Sequence, residues 1–262
     1  MGKILNYEHA ISSYLSGMSL SESANLHKVD RHTLKTKLNR NGVSIRPPQS
    51  YWTYNLNHSA FDTITEESAY WIGFLMADGC IHNPENETPE IRLDLSSKDV
   101  LHIEQLKRFV SAEHPIRTRS VKLKSGNTAT YSLLVFRSQQ IADRLATFGV
   151  VPDKTSRETV MILENNRHFW RGVVDGDGCL TFANKYPSFQ LVGSFNLMNQ
   201  FCTHIKIETG IVTEPRNFNR NVWTVSLYCK KAFQVTEHLY TLAPIALERK
   251  RNRANMFGAF YA

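Results

Sequence analysis

Ala69-Tyr-Trp-Ile-Gly-Phe-Leu-Met-Ala-Asp-Gly-Cys-Ile81 and His168-Phe-Trp-Arg-Gly-Val-Val-Asp-Gly-Asp-Gly-Cys-Leu180 are two versions of one segment, offset by 99 residues. Each carries an aromatic-Trp pair, then Gly73 or Gly172, then Ala77 or Gly176 one helical turn later, and ends on Asp-Gly-Cys. Thr65, Glu66 and Glu67 before the first copy supply a cap and two acids for a helix start. A nearly all-apolar helix follows, and each glycine inside it costs about 1 kcal/mol relative to Ala. Close approach of a partner backbone would offset that cost. Because both copies present such a face, each is the natural partner of the other. The expectation is a pseudo-two-fold seam of two parallel helices, packed through Gly73, Ala77, Gly172 and Gly176. Their C-terminal ends then bring Asp78 and Asp177 together.

The chain after each copy repeats as well. After the first, strands are expected near 80–83 and 90–96. A helix at 98–110 follows, with Val100, Ile103, Leu106 and Val110 on one face. A hairpin of 115–124 and 129–137 about Ser125-Gly126-Asn127 and a helix at 138–148 complete the half. After the second, strands are expected at 179–183 and 187–193, a helix at 196–209, strands at 211–217 and 222–229, and a helix at 230–241. Both halves read αββαββα. The predicted fold class is therefore α/β (α+β): a duplicated core in which each four-stranded sheet offers one face to helices and leaves the other open. Trp71 and Trp170 read as core aromatics, and Cys80 and Cys179 as small buried hydrophobes.

Residues 1–46 have a different character. Ser19-Leu20-Ser21-Glu22 is a capping box, Asp30 is an N-cap for a helix from Arg31 to about Asn41, and Gly42 ends that helix. Leu20, Ala24, Val29, Leu34 and Leu38 supply apolar contacts. Three short helices with a tight connection at His27-Lys28 form the layout of a helix-turn-helix, or a small helical subdomain with no role in DNA binding. If Lys28 has to adopt a positive φ, Lys suits that position less well than Gly. Pro47 and Pro48 open a stiff linker, and 51–64 read as an extended tether. The expected organisation is thus 1–46 helical, 47–64 linker, 65–155 first repeat and 156–262 second repeat.

Of 262 residues, 42% are hydrophobic and 21% charged, an ordinary globular balance. No apolar run reaches the roughly 18 residues of a membrane span, and the first 15 residues show no signal-peptide core. The four cysteines form no CxxC pair and the ten histidines no paired metal spacing. This argues against a disulfide scaffold or a zinc site, and for a reducing interior. The formal net charge of +7 conceals five blocks of +4, −7, +6, −1 and +5, over 1–50, 51–114, 115–171, 172–213 and 214–262. Alternating blocks suit a polyanion met in several places, or a solvated surface of mixed charge.

Asp78 and Asp177 carry the chemistry. Two carboxylates at the negative ends of two helices repel each other and the helix dipoles. A divalent cation removes that penalty. Hard oxygen ligands suit Mg²⁺ or Mn²⁺, with the main-chain oxygens of Ala77 and Gly176 placed to help. Such a metal can activate water and stabilise a leaving oxygen in phosphodiester hydrolysis.

Trp71-Ile-Gly-Phe-Leu-Met-Ala-Asp-Gly79 and Trp170-Arg-Gly-Val-Val-Asp-Gly-Asp-Gly178 resemble two copies of the LAGLIDADG motif of single-chain homing endonucleases. The resemblance extends over about residues 58–250. It implies catalytic, metal-binding roles for Asp78 and Asp177, and helix-packing roles for the four small residues. It also implies a catalytic basic residue late in each repeat, which Lys154 and Lys250 match. Met76 departs from the motif, where the second copy has Asp175. In that family antiparallel strands line the DNA groove. The resemblance therefore implies DNA contacts from Arg117, Arg119, Lys122, Lys124 and Arg137, and from Arg216 and Arg220, although a solvated hairpin is the plainer reading of the same charges. Arg31, His32, Thr33 and Lys35 open the N-terminal helix that would meet DNA. The function implied is a monomeric, metal-dependent, sequence-specific endonuclease that cuts both strands of duplex DNA, in a bacterial or phage-infected cytoplasm or an organelle. The alternatives on the same fold are a non-cleaving DNA-binding regulator and a maturase that acts on intron RNA.

Overall fold

The computed structural model describes residues 7–16, 18–45, 54–85, 87–123, 125–154 and 158–261. The chain separates into two units, Met1–Thr53 and Tyr54–Ala262.

The first unit contains α1 (Tyr7–Leu15), α2 (Leu20–Leu26) and α3 (Arg31–Arg40). Its local signals work as side-chain chemistry dictates. Ser19 Oγ accepts from Glu22 N at 3.2 Å, and Glu22 Oε2 accepts from Ser19 N at 2.9 Å. Asp30 Oδ1 accepts from Thr33 N at 2.7 Å. Ala10, Tyr14, Ala24, Val29, Leu34 and Leu38 form a small core of their own. Between α2 and α3 the backbone turns at Lys28, with φ of 52°. A glycine would hold that conformation without the Cβ strain that Lys brings.

The second unit starts earlier than the repeat pattern suggests. The expected tether extends to residue 64, yet the described residues 54–64 pack onto the first repeat. Phe61 is fully buried, Asn57 N donates to Val110 O at 2.8 Å, and Arg144 Nε donates to Phe61 O at 3.1 Å. An Asn-rich composition resembles a linker locally. Long-range partners for its main chain and its single Phe decide otherwise. Residues 46–53, which include Pro47 and Pro48, lie outside the described residues.

Two helices form the centre of this unit. Thr65 Oγ1 accepts from Ser68 N at 3.1 Å and starts α4 (Glu66–Ala77). Asn166 Oδ1 accepts from His168 N and Phe169 N and starts α7 (Arg167–Asp177). They meet at their main chains. A Cβ on Gly73 would stand 2.0 Å from Phe169 O, and one on Gly172 would stand 2.1 Å from Tyr70 O. At the lower crossing a Cβ on Gly176 would stand 2.3 Å from the Ala77 Cβ, so this level of the seam holds one methyl but not two.

Each helix feeds an antiparallel sheet. In the first half β1 (Gly79–His82), β2 (Glu90–Ser96), β3 (Arg117–Lys122) and β4 (Thr128–Arg137) lie in the order β1-β2-β4-β3, backed by α5 (Val100–Phe109) and α6 (Gln139–Ala146). In the second half β5 (Gly178–Ala183), β6 (Tyr186–Gly193), β7 (Arg216–Asn219) and β8 (Val222–Tyr228) repeat that order, with α8 (Phe195–Thr209) and α9 (Cys229–Tyr240). β7 starts later than expected: Ile211 is buried in the core, and Pro215 has no N–H to give a ladder. Cys80 and Cys179 are exposed, not buried as expected. Strand alternation puts Ile81 and Leu180 into the core and turns each cysteine to the open face. A last helix, α10 (Glu248–Tyr261), buries Lys250, Ala254 and Phe257 along one stripe. One hydrophobic core runs through both halves, from Phe61 to Phe257. Among the described residues no helix is long and apolar enough to cross a membrane.

The close backbone contact makes a direct prediction. Gly172→Ala puts a methyl against the Tyr70 carbonyl and is expected to cost roughly 3 kcal/mol or more through overpacking. Chemical denaturation of the full chain checks it, and an unchanged midpoint would contradict main-chain contact at the seam.

Candidate functional site

Asp78 is the C-cap of α4 and Asp177 the last residue of α7. Both glycines that follow start strands, so each acid stands where a helix turns into a sheet. The two are close: Asp78 Oδ2 lies 3.3 Å from the point where a Gly176 Cβ would be. Both side chains reach solvent, yet the protein around them desolvates both carboxylates. Burial pushes the Asp177 carboxyl up to about 6, and the Asp78 charge adds to the rise. Burial also raises Asp78, against the pull of Lys250 and Lys154.

The two lysines come to this end of the seam by different routes. Lys154 Nζ, partly exposed, donates to Gly79 O at 2.6 Å. Burial lowers its pKa, against the charges of Glu158 and Asp177. Lys250 is only 3% exposed. Its Nζ donates to Val174 O, Asp175 O and Gly176 O at 2.7, 2.5 and 3.2 Å. It therefore neutralises the carbonyl end of α7 from behind, and burial brings its pKa down to about 8.

A buried polar cluster behind this end is not apparent from the sequence. Asp175 is fully buried and accepts from Tyr70 Oη at 2.7 Å, Tyr240 Oη at 2.6 Å and Leu247 N at 2.6 Å. Tyr70 Oη also lies 2.8 Å from His102 Nε2, within hydrogen-bond distance. Arg171, also fully buried, donates to Ile245 O and Leu239 O and lies over the Tyr70 ring. The signal was present in the second motif copy, where Arg171 and Asp175 replace the apolar Ile72 and Met76 in an otherwise apolar helix. The partners come from residues 70, 102, 240 and 247, which no spacing rule connects.

Arg119 pairs with Asp94 and lies over Tyr131, and Arg137 pairs with Glu87 at 2.7 Å. Both are engaged by partners within the protein. Arg117 and Lys122 are exposed on β3, an edge strand whose two faces both meet solvent. That explains the lack of clean alternation. Arg216 and Arg220 are exposed on β7 and its turn. Lys124 lies outside the described residues. In the first unit Arg31, His32 and Lys35 are exposed on α3 and Thr33 partly so. Among the described residues no cluster of three or more His, Cys, Asp or Glu side chains could hold a metal ion. Gly176 O, beside Asp177, accepts from Lys250 Nζ.

The twin helix seam, the sheet order and the two acids at its end define a known architecture. No family model and no curated protein matches the sequence. Among solved structures, the homing endonuclease I-WcaI bound to its DNA recognition sequence aligns with a TM-score of 0.57 at 14% identity, over 81% of this chain and 96% of that one. The LAGLIDADG meganuclease I-AabMI bound to uncleaved DNA aligns with a TM-score of 0.47 at 14% identity, over 75% and 90%. The chain has the LAGLIDADG homing-endonuclease fold.

The two lysines should differ in their structural weight. Lys250→Met strands three carbonyls and leaves Asp175 without its nearest cation, so it is expected to cost about 3–5 kcal/mol. Lys154→Met removes one hydrogen bond from a partly exposed group, for about 1 kcal/mol. Urea unfolding of both variants checks the order, and equal midpoints would refute it.

Proposed function

We propose that this protein is a divalent-metal-dependent endonuclease of the homing type that cuts both strands of a specific DNA site. The observation that carries the reading is the meeting of Asp78 and Asp177 at the ends of two helices locked at their main chains. The DNA-bound neighbour that shares the fold supports it.

The two acids fit a metal. Each is an oxygen ligand at the negative end of a helix, and burial, joined by the repulsion of Asp78, raises Asp177. A cation between them removes that cost. Asp78 and Asp177 would hold Mg²⁺ or Mn²⁺ with the carbonyls of Ala77 and Gly176, and the metal when bound supplies an activated water and stabilises the leaving oxygen. Lys154 sits beside Gly79 and can stabilise charge on the reacting phosphate. Lys250 gives its protons to three carbonyls and acts as a fixed positive charge at the end of α7, where it pulls on Asp78 ahead of the other charges. Arg117, Lys122, Arg216 and Arg220 offer phosphate or base contacts from the two sheets. Arg119 and Arg137 join them only by exchanging carboxylate for phosphate. The first unit adds a helix-turn-helix contact through Arg31, His32, Thr33 and Lys35.

Asp78→Asn or Asp177→Asn keeps the shape and removes a ligand charge. Either is expected to abolish double-strand cutting of a duplex selected from a random library in Mg²⁺, while binding in Ca²⁺ persists. Cutting at the unaltered rate would refute the assignment. Selective binding without cutting by the unaltered chain would make the protein a regulator instead.

Removing residues 1–50 takes away 7 basic side chains. The remainder contains its own core and both acids. It is expected to cut, with a shorter footprint and a salt dependence shallower by about 0.9 in log–log slope for each phosphate that the shortened chain no longer neutralises. Identical footprints and slopes would exclude the first unit as a DNA reader.

A further inference from the structure

The two halves share a frame but hold their lysines differently. In the second half the Asp175 carboxylate accepts the N–H of Leu247, and Leu247 O in turn accepts from Lys250 N at 2.9 Å and Arg251 N at 3.0 Å. Leu247 is thus the residue on which α10 starts. Asp175 grips that start through its side chain, while its own main-chain oxygen receives Lys250 Nζ. Tyr240 and Tyr70 fix the carboxylate from two further helices, one of them in the other repeat.

Among the described residues the first half shows no such grip. Met76 occupies the position of Asp175, and its Cε lies 3.3 Å from the point where a Gly149 Cβ would be. Lys154 Nζ donates to Gly79 O, not to a set of three carbonyls.

We propose that Asp175, held by Tyr70 and Tyr240, is a positioning residue for Lys250, and that it governs cutting of one DNA strand and not the other. The inference rests on the endonuclease reading for its strand effect, but not for the placement of Lys250. A carboxylate that merely filled the core would, when weakened, lower stability and slow both strands alike. One that places Lys250 against the end of α7 weights the two halves unequally, because Lys154 is held independently of it, on Gly79 O.

Tyr240→Phe and Tyr70→Phe each remove one donor and keep the ring, and Phe169 already occupies the position of Tyr70 in the second repeat. Asp175→Asn is the sharper change, and the two Tyr variants carry the test if it does not fold. Two measurements are made on the full chain. In the first, lysines are acetylated with acetic anhydride and quantified by peptide mass spectrometry. Lys250 is expected to gain about fivefold or more in reactivity in Tyr240→Phe, with Lys154 unchanged as internal reference. Unchanged protection of Lys250 in every folded variant would overturn the proposal.

In the second, each strand of a duplex that the unaltered chain has selected from a random library carries its own fluorophore. Cutting of one strand is expected to slow by about tenfold or more, with the other within about twofold. Equal slowing of both strands would also overturn it. If the unaltered chain cuts no duplex while Lys250 becomes reactive in the variants, the endonuclease reading fails and the positioning role stands.

Discussion

At Gly73 and Gly172 the main chain of one helix touches the main chain of the other, with no side chain between them. Everything else in the second unit is arranged around that contact. It fixes the distance between the two halves and the axis that relates them. Since Asp78 and Asp177 end the same two helices, it fixes how near the acids come. A side chain at either glycine would separate the helices and the acids together. This is why glycine is retained in two helix interiors at a cost in intrinsic stability. The Ala77–Gly176 level adds a finer constraint, because the space there admits a single methyl.

Around this symmetric contact the halves have diverged in what they bury. Tyr70 faces Phe169 when the repeats are aligned, Ile72 faces Arg171, and Met76 faces Asp175. The apolar member of each pair needs only volume. The polar member needs partners, and α9, the segment before α10 and α10 itself supply them. Burying Arg171, Asp175 and Lys250 together is tolerable because each is hydrogen-bonded and the opposite charges are close. The result is a second half whose cation is held by three carbonyls and a first half whose cation, among the described residues, is held by one.

The charge pattern takes on a definite form once folded. The acidic block before residue 114 is partly taken up by neighbouring arginines, as in Asp94 with Arg119 and Glu87 with Arg137. Other basic side chains are exposed to solvent, among them Lys122 on β3, Arg216 on β7 and Arg31 and Lys35 on α3 of the first unit.

The repeat of 99 residues, the two helices with small residues one turn apart, the αββαββα order and the two terminal acids could all be read from the chain alone. Each is a local pattern, or one compared with itself, and local patterns survive in sequence. The caps at Ser19, Asp30 and Thr65 are legible for the same reason. The packing of residues 54–64, the exposure of Cys80 and Cys179, the pairing of Arg119 and Arg137, and the cluster about Asp175 were decided only by tertiary structure. Each depends on which residues, distant in sequence, become neighbours. A linker-like composition cannot show that Phe61 will be buried. An acid in an apolar helix cannot show that Tyr70, Tyr240 and Leu247 N will converge on it. Hydrogen-bond partners are set by three-dimensional proximity, and proximity across 65 or 105 positions of chain leaves no periodic trace in the sequence.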